Sequence, residues 1–273
     1  MNQGPLNPPR FPSSVPKIVH SIWLDTRPLP DRLQGFRRTW EHHLPGFVFR
    51  EWTRHNLPLE DPFVVRQMRR ENYCFASDYL RWERVHSFGG IYFDCDVEVL
   101  RPLDDLLGEG GFLGFECSQN RIRKNAIGTA VFGFPPGHWL PEKMLDYFRR
   151  HPESTPLATD LLTRIMRRQG LKRYDIETED FHFITVKGIK IFQRDILYPD
   201  TIRKYKHREQ VPRQARTIHH VTGMFKESEL DPIPWHRRLF DYRLDRKILR
   251  PVEGFLKGLV GKRTKEKGGR ERR

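Results

Sequence analysis

Cysteine is scarce in this chain of 273 residues, and its few cysteines are not paired. The three cysteines are Cys74, Cys95 and Cys117, and no two of them form a C-x-x-C motif. An odd count without paired spacing predicts neither a zinc site nor a disulfide framework. It favours a reducing compartment such as the cytoplasm.

Long apolar runs are also missing. No stretch approaches the roughly 20 apolar residues that a transmembrane helix requires. Residues 1–14 are rich in proline and lack the apolar core of a signal peptide, which predicts a disordered leader. We therefore expect a cytoplasmic protein, with peripheral contact to the inner face of the cell membrane as a further expectation.

Acidic residues are fewer than basic ones. The chain has 35 Asp and Glu and 49 Lys and Arg, which gives a formal net charge of +14. This excess predicts a negatively charged partner, such as nucleic acid, a nucleotide diphosphate or an anionic membrane surface. Residues 230–273 are strongly basic and interleave arginines and lysines with residues such as Leu239 and Phe255. They predict a basic amphipathic extension with a disordered end. It either lies on anionic lipid or packs on the domain with a solvated basic face.

Apolar periodicity predicts strands that alternate with helices over residues 15–229. This alternation predicts a single α/β domain with a mixed, mostly parallel sheet, and ligands at the carboxyl ends of its strands. The predicted strands are 15–24, 47–52, 90–93, 97–100, 112–116 and 130–134, with short strands near 189–193 and 216–221. The predicted helices are 31–43, 61–73, 75–88 (ended by Gly89), 138–150 and 157–169.

The most informative short pattern is a pair of carboxylates directly after a predicted strand. Asp94 and Asp96 are separated only by Cys95. Two ionised carboxylates placed together repel each other unless a cation or hydrogen-bond donors lie between them. Mg²⁺ or Mn²⁺ holding a diphosphate satisfies this requirement, because hard cations take one or two carboxylates plus substrate phosphates. The alternative is a turn or a solvated strand end.

Three segments together resemble glycosyltransferase family 32. Residues 76–81 (ASDYLR) and 89–97 (GGIYFDCDV) are similar to its D-x-D sugar-binding region, and also to the catalytic core of the clostridial glucosylating toxins. Residues 15–23 (VPKIVHSIW) resemble the opening strand of the family, and residues 217–220 (TIHH) resemble its closing I-H-H segment. The resemblance spans residues 15–225 and implies a glycosyltransferase A-type, Rossmann-like domain.

The resemblance also implies a reaction. Members transfer a hexose from a nucleotide-diphosphate sugar, such as a UDP- or GDP-sugar, to a hydroxyl of a glycan or lipid-linked acceptor. They need Mn²⁺ or Mg²⁺ and retain the anomeric configuration of the donor. Many bacterial members build capsule, lipopolysaccharide or other surface polysaccharides. No single carboxylate stands out as a covalent nucleophile, so front-face attack assisted by the leaving phosphate is the preferred mechanism.

By the resemblance, Asp94 and Asp96 bind the metal and the diphosphate, and Asp94 also contacts the ribose or sugar of the donor. Asp78 and Arg81 would bind the hydroxyls of the donor sugar, the alternative being a surface ion pair, which contributes little stability. Trp23 would stack on the donor base, the alternative being core packing. His20 is expected to be structural.

The closing segment departs from the family. Relatives continue into a Ser-Trp pair, whereas this chain reads VTGMF at 221–225, which leaves the third metal ligand open between His219 and His220. His220 is also a candidate donor contact, and Asn125 and Thr129 in their loop are candidates for reaching the donor or the acceptor. Asp160 is a candidate as well, with capping of its helix as the alternative.

Two other function classes remain open. Paired aspartates also serve metal-dependent phosphotransferases and nucleases, but neither explains the helix with Asp78 and Arg81. A basic nucleic-acid-binding protein fits the charge, but clustered carboxylates repel phosphate, and no zinc-finger, RRM-type or helix-turn-helix pattern is present. We therefore expect no specific nucleic-acid partner.

Overall fold

The computed structural model of the protein describes residues 13–116, 126–172, 181–200, 205 and 207–221. Its strands are β1 Ile18–Ile22, β2 Val48–Trp52, β3 Gly90–Phe93, β4 Val97–Val99, β5 Phe112–Glu116, β6 Ala126–Ile127, β7 Val131–Phe134, β8 Phe183–Val186, β9 Ile189–Phe192 and β10 Thr217–His219. Its helices are α1 Asp31–His43, α2 Pro62–Arg69, α3 Tyr73–Phe88, α4 Trp139–Arg150, α5 Ala158–Arg168 and α6 Arg194–Leu197.

The main sheet has the order β2-β1-β3-β7-β5-β9-β8, with β6 paired to β5. β2, β1 and β3 are mutually parallel, β7 runs antiparallel between β3 and β5, and β9 is parallel to β5 while β8 is antiparallel to β9. Five of these seven strands therefore run in one direction, which confirms the predicted mixed, mostly parallel α/β sheet. The carboxyl ends of β1, β3 and β5 consequently lie at the same edge.

A separate two-stranded ladder lies beside this edge. β10 pairs antiparallel with β4, so that His219 lies opposite Val97. The backbone N–H of His220 also donates to the carbonyl oxygen of Asp96 at 3.1 Å. The ladder therefore brings the end of the described chain directly beside the D-x-D pair, more than 100 residues away in sequence.

The two faces of the sheet are covered by different helices. Side chains from α2, α3, α4 and α5 pack on one face, against Tyr92 and Phe132 among others. Trp40 and Leu44 pack on the other face together with side chains of α6, against Ile91 and Phe93. The alternation of Ile91, Tyr92 and Phe93 between the two clusters follows from the two-residue period of a strand.

The end of α3 is fixed by Gly89, as predicted. Gly89 has φ +63, and a Cβ there would lie 2.5 Å from Cδ of Pro136. A side chain at this position would therefore be both strained and obstructed. The turn sends the chain straight from α3 into β3, so the helix that carries Asp78 and Arg81 lies next to the strand that carries Asp94.

The predicted bounds of α1, β3 and β5 agree with the structure, whereas most other predicted elements are one to four residues too long at one or both ends. β6, β8 and α6 were not predicted, because two to four residues are too few to show a period. None of the described helices is both long and apolar enough to cross a membrane. The proposed leader, apart from residues 13 and 14, and the basic extension at 230–273 lie outside the described residues.

Candidate active site

A tight turn positions the D-x-D pair at the end of β3. The N–H of Asp94 donates to the carbonyl of Ala130 at 2.9 Å, and the N–H of Val97 donates to the carbonyl of Asp94 at 3.0 Å. Between the two aspartates, the Cys95 thiol points into the interior and donates to the carbonyl of Ile22 at 3.3 Å. The aspartates therefore face the other way, towards the open edge, with Asp94 half-buried and Asp96 buried.

His219 completes a three-residue cluster with these aspartates. Its Nε2 lies 3.3 Å from Oδ1 of Asp96 and 3.9 Å from Oδ2 of Asp94. One ligand atom from each of the three residues lies within 4.8 Å of the others. Two ligands of one Mg²⁺ ion lie at most about 4 Å apart, so small side-chain rotations would suffice to hold a divalent ion. The residues present fit the expected metal.

The electrostatics of His219 agree with a cation site. Burial opposes protonation, but the hydrogen bond and charge of Asp96, with the charges of Asp94 and Glu116, outweigh it and raise the pKa of His219 to about 9. The cluster thus attracts positive charge strongly. A divalent cation would replace the imidazole proton, since a metal-bound histidine must be neutral.

His220 lies apart from this cluster. Its ring stacks on Phe36 with centroids 4.3 Å apart, and its Nε2 lies 2.9 Å from Oε2 of Glu98. Glu98 also pairs with Arg208 at 2.6 Å. Of the two histidines that the sequence left open, the structure places His219, not His220, against the aspartates.

Asp78 and Arg81 form a buried pair rather than an exposed one. Their side chains are 11% and 5% exposed, with 3.0 Å between Oδ1 of Asp78 and Nη2 of Arg81. Nη1 of Arg81 donates to the carbonyl of Thr129 at 2.9 Å and lies 3.3 Å from Oδ1 of Asp94. Burial raises the pKa of Asp78 to about 6; Arg81 lowers it and Asp94 raises it. Arg81 therefore ties α3 to the D-x-D turn.

Tyr92 also orients Asp94, a residue role that the sequence reasoning missed. Its hydroxyl donates to Oδ1 of Asp94 at 2.8 Å and lies 3.4 Å from Oγ of Ser77. The guanidinium of Arg81 lies over its ring at 4.8 Å. The available signal was the spacing, because residues i and i+2 of a strand share a face.

Trp23 lies just beyond β1 at the same edge. Its indole Nε1 donates to the carbonyl of Arg27 at 2.7 Å, and its ring packs beside Leu29, Leu33 and Cys95. The side chain remains partly exposed. A partly exposed aromatic side chain therefore lies at this edge, as the predicted stacking role requires.

The other predicted site residues are Asn125, Thr129 and Asp160. Asn125 lies outside the described residues. Thr129 is buried and uses its carbonyl to hold Arg81. Asp160 lies in the first turn of α5, whose N-cap residue is Leu157, so it does not occupy the capping position considered above.

Glu116, which the sequence reasoning did not single out, ends β5 close enough to His219 and Asp94 for their charges to affect its pKa.

In open α/β sheets, ligands bind beyond the carboxyl ends of the strands, and the cluster of Asp94, Asp96 and His219 lies at this place. Residues 30–113 match the family model described as "Glycosyltransferase sugar-binding region containing DXD motif". The match covers the segment that carries Asp78, Arg81 and Asp94, and the resemblance expected from the motifs is confirmed.

Two of the matching relatives are fungal proteins that are much longer than the aligned region. "Inositol phosphoceramide mannosyltransferase 3" of Schizosaccharomyces pombe is 28% identical over 131 residues, 46% of this chain and 35% of that protein. "Mannosyl phosphorylinositol ceramide synthase CSH1" of Saccharomyces cerevisiae is 26% identical over 133 residues, 46% and 33% of the two chains. The matched segments thus cover about a third of the length of these relatives.

Among solved structures, the chain is similar to "PaToxG Glycosyltransferase". The two are 16% identical, with a TM-score of 0.46 over 59% of this chain and 72% of that chain.

Proposed function

We propose that this protein is a metal-dependent, retaining glycosyltransferase that moves a hexose from a UDP- or GDP-sugar to a hydroxyl of a glycan or lipid-linked acceptor. The observation that carries the proposal is the cluster of Asp94, Asp96 and His219 at the carboxyl end of β3. The match of residues 30–113 to the sugar-binding region supports it independently.

Each residue has a role in this proposal. Asp94, Asp96 and His219 would hold Mn²⁺ or Mg²⁺, which supplies positive charge to the leaving diphosphate. Arg81 contacts both Asp78 and Asp94. Asp78 and Arg81 would bind the hydroxyls of the donor sugar. Trp23 would stack on the base.

The order of these residues along the edge supports one donor orientation. Trp23 follows β1, the next strand along the sheet is β3 with Asp94, and β7 and β5 come after it. A donor bound with its base at Trp23 and its diphosphate at Asp94 would place its sugar towards β7 and β5. His220, beside Glu98, would contact the donor from the β10 side.

Retention is proposed through front-face attack. The acceptor oxygen forms its bond to the anomeric carbon as the bond from that carbon to the diphosphate oxygen breaks. The electron pair of the broken bond stays on the diphosphate, and a phosphate oxygen takes the proton of the acceptor hydroxyl. Stabilising this developing negative charge is the step that the site is built to assist.

The biological setting is a further part of the proposal. We infer a role at the cytoplasmic face of the membrane, in the synthesis of bacterial capsule, lipopolysaccharide or another surface polysaccharide. The names of the fungal relatives add mannose as a candidate sugar and a lipid as a candidate acceptor. The basic residues of 230–273 would attract an anionic surface, each contributing about 1 kcal/mol. Binding of the full chain to anionic but not neutral liposomes, reduced by salt, would support this location.

The deciding experiment is incubation of the protein and Mn²⁺ with a panel of UDP- and GDP-hexoses, with release of free nucleoside diphosphate as the readout. Release from one of these donors, abolished by EDTA and by Asp96→Asn, supports the proposal. Release of nucleoside monophosphate, or cleavage of a nucleic acid substrate instead, would favour a metal-dependent phosphotransferase or nuclease.

A further inference from the structure

Glu116 lies at the same edge of the sheet as the D-x-D pair. It is the last residue of β5, whose four preceding residues are all buried. Only β7 lies between β3 and β5 in the sheet. At about 4.8 Å per strand, the ends of β3 and β5 are about 10 Å apart. A hexose lying beyond the start of β7 would span this distance from Asp94 to Glu116.

The Glu116 carboxylate lies close to the cluster of Asp94, Asp96 and His219 but forms no hydrogen bond or ion pair with these residues. Burial raises its pKa; the charges of His219 and Arg81 lower it, and those of Asp94 and Asp160 raise it. Within the part of the chain that the structure describes, no hydrogen bond or ion pair involves its oxygens. The residue is only partly exposed. Its lone pairs therefore remain for a ligand in the crevice.

The position of Glu116 relative to the donor decides what that ligand is. In the proposed donor orientation, the base lies at β1, the diphosphate at β3 and the sugar towards β5. Glu116 then lies on the side of the sugar away from the nucleotide. An acceptor must approach the sugar from the side that the nucleotide does not occupy. Glu116 lies on that side.

We propose that Glu116 binds the acceptor, accepting hydrogen bonds from hydroxyl groups next to the one that attacks. This inference rests on the proposed function and extends it to the second substrate. The carboxylate takes no proton in the transfer, since that proton goes to the leaving phosphate; Glu116 orients the acceptor.

The charge of the site also defines the chemical class of acceptor. Glu116 places a carboxylate on this side of the donor sugar, and two carboxylates brought close together repel each other. The acceptor ring at this position is therefore a neutral, hydroxyl-rich sugar or polyol rather than a uronic acid or a sugar phosphate.

The test compares wild type, Glu116→Gln and the control Glu109→Gln, an exposed glutamate on the loop before β5. With the donor selected by the nucleotide-sugar panel, transfer is measured to octyl mannoside, octyl glucoside, octyl galactoside and octyl glucuronide. Hydrolysis of the donor by water is measured alongside. We expect Glu116→Gln to lower kcat/KM for the neutral acceptor by about 10- to 100-fold, because hydrogen bonds to a charged carboxylate become weaker ones to a neutral amide.

Three further results are expected. Donor hydrolysis and the KM of the donor stay within about twofold of wild type in Glu116→Gln, because hydrogen-bond losses confined to the acceptor leave the donor site intact. The preference for octyl glucoside over octyl glucuronide narrows in this variant, which a purely structural role would not cause. Glu109→Gln behaves as wild type throughout.

The contrary outcomes are distinct. Equal loss of hydrolysis and transfer in Glu116→Gln would place the residue against the donor and overturn the inference, as would unchanged transfer. Transfer by wild type to none of the neutral glycosides would also overturn it. If wild type releases no nucleoside diphosphate from any donor, the proposed function itself fails, and the role of Glu116 falls with it.

Discussion

Arg81 and Asp94 form an ion pair with 3.3 Å between Nη1 and Oδ1, although they lie on different elements and 13 residues apart. Because Arg81 also holds Asp78 and the carbonyl of Thr129, one buried guanidinium joins α3 to the D-x-D turn and to the loop before β7. The planar guanidinium of arginine has several donors and can hold three acceptors at once, whereas the single ammonium group of a lysine cannot hold them in this geometry.

We therefore expect Arg81→Lys to fold but to lose about 100-fold in turnover of the nucleotide-sugar, because misplacement of a reacting group by about 1 Å costs that much. Binding of the free nucleoside diphosphate, measured by calorimetry, should change far less. Asp78→Asn should show the same separation. Equal losses for the sugar donor and the free nucleotide would show that the pair serves the phosphates or the fold instead.

Removal of a metal ligand should act differently. Asp96→Asn keeps the shape of the side chain but removes a negative charge from the cluster with His219. We expect Mn²⁺ affinity to fall by more than about 100-fold and turnover to disappear, since even outer-shell changes cost 10- to 100-fold. Mn²⁺ binding is followed by electron paramagnetic resonance. The matched control is Asp146→Asn on the surface of α4, and full wild-type activity in EDTA would contradict the metal site.

The sequence was sufficient to predict those parts of the site that depend on local order. Asp94 and Asp96 follow a short apolar strand, and Gly89 ends the helix before it, so motif and geometry agree. It could not choose between His219 and His220. Adjacent residues of an extended segment point to opposite sides, and which side meets the aspartates depends on the register of β10 with β4.

Glu116 escaped the sequence reasoning for a related reason. It ends a predicted strand as a single acidic residue with no second carboxylate beside it, so nothing local distinguishes it. Its proximity to Asp94 arises because β7, which comes later in the chain, inserts between β3 and β5. The order of strands in a sheet is a property of the whole fold, which a residue pattern does not encode.

Tyr92→Phe tests the second contact to Asp94. The substitution removes the 2.8 Å hydrogen bond from the phenol to Oδ1 of Asp94 but preserves the ring that packs on Phe132. We expect Mn²⁺ affinity to fall about 10-fold, as for loss of an outer-shell contact to a metal ligand. The free energy of unfolding should change by only about 1 kcal/mol. A loss of stability with unchanged metal affinity would mean that Tyr92 serves the core rather than Asp94.

His20 is a structural histidine in a defined tautomer, as expected from its position in β1. The indole Nε1 of Trp52 donates to its Nδ1 at 2.9 Å, and an indole nitrogen cannot accept. The Nε2 of His20 must therefore carry the proton that it donates to the carbonyl of Gly89 at 2.8 Å. Both ring nitrogens are used in the neutral state, and protonation of Nδ1 would break the bond to Trp52.

This arrangement predicts a pH-dependent stability that is independent of the active site. Burial lowers the pKa of His20 from 6.5 to about 4, with the charges of Arg50 and Arg84 acting in the same direction against the Gly89 hydrogen bond. The contribution of the neutral ring is complete above about pH 6.5. It decreases by about 1.4 kcal/mol per pH unit as the pH falls towards 4, because only the unfolded chain binds the proton there. Urea unfolding of wild type and His20→Gln between pH 7 and 4 measures this slope, with the exposed His55→Gln as the control for loss of an imidazole. The slope should be shallower in His20→Gln by up to that amount; an identical slope in both proteins would show that His20 is not held neutral by the fold.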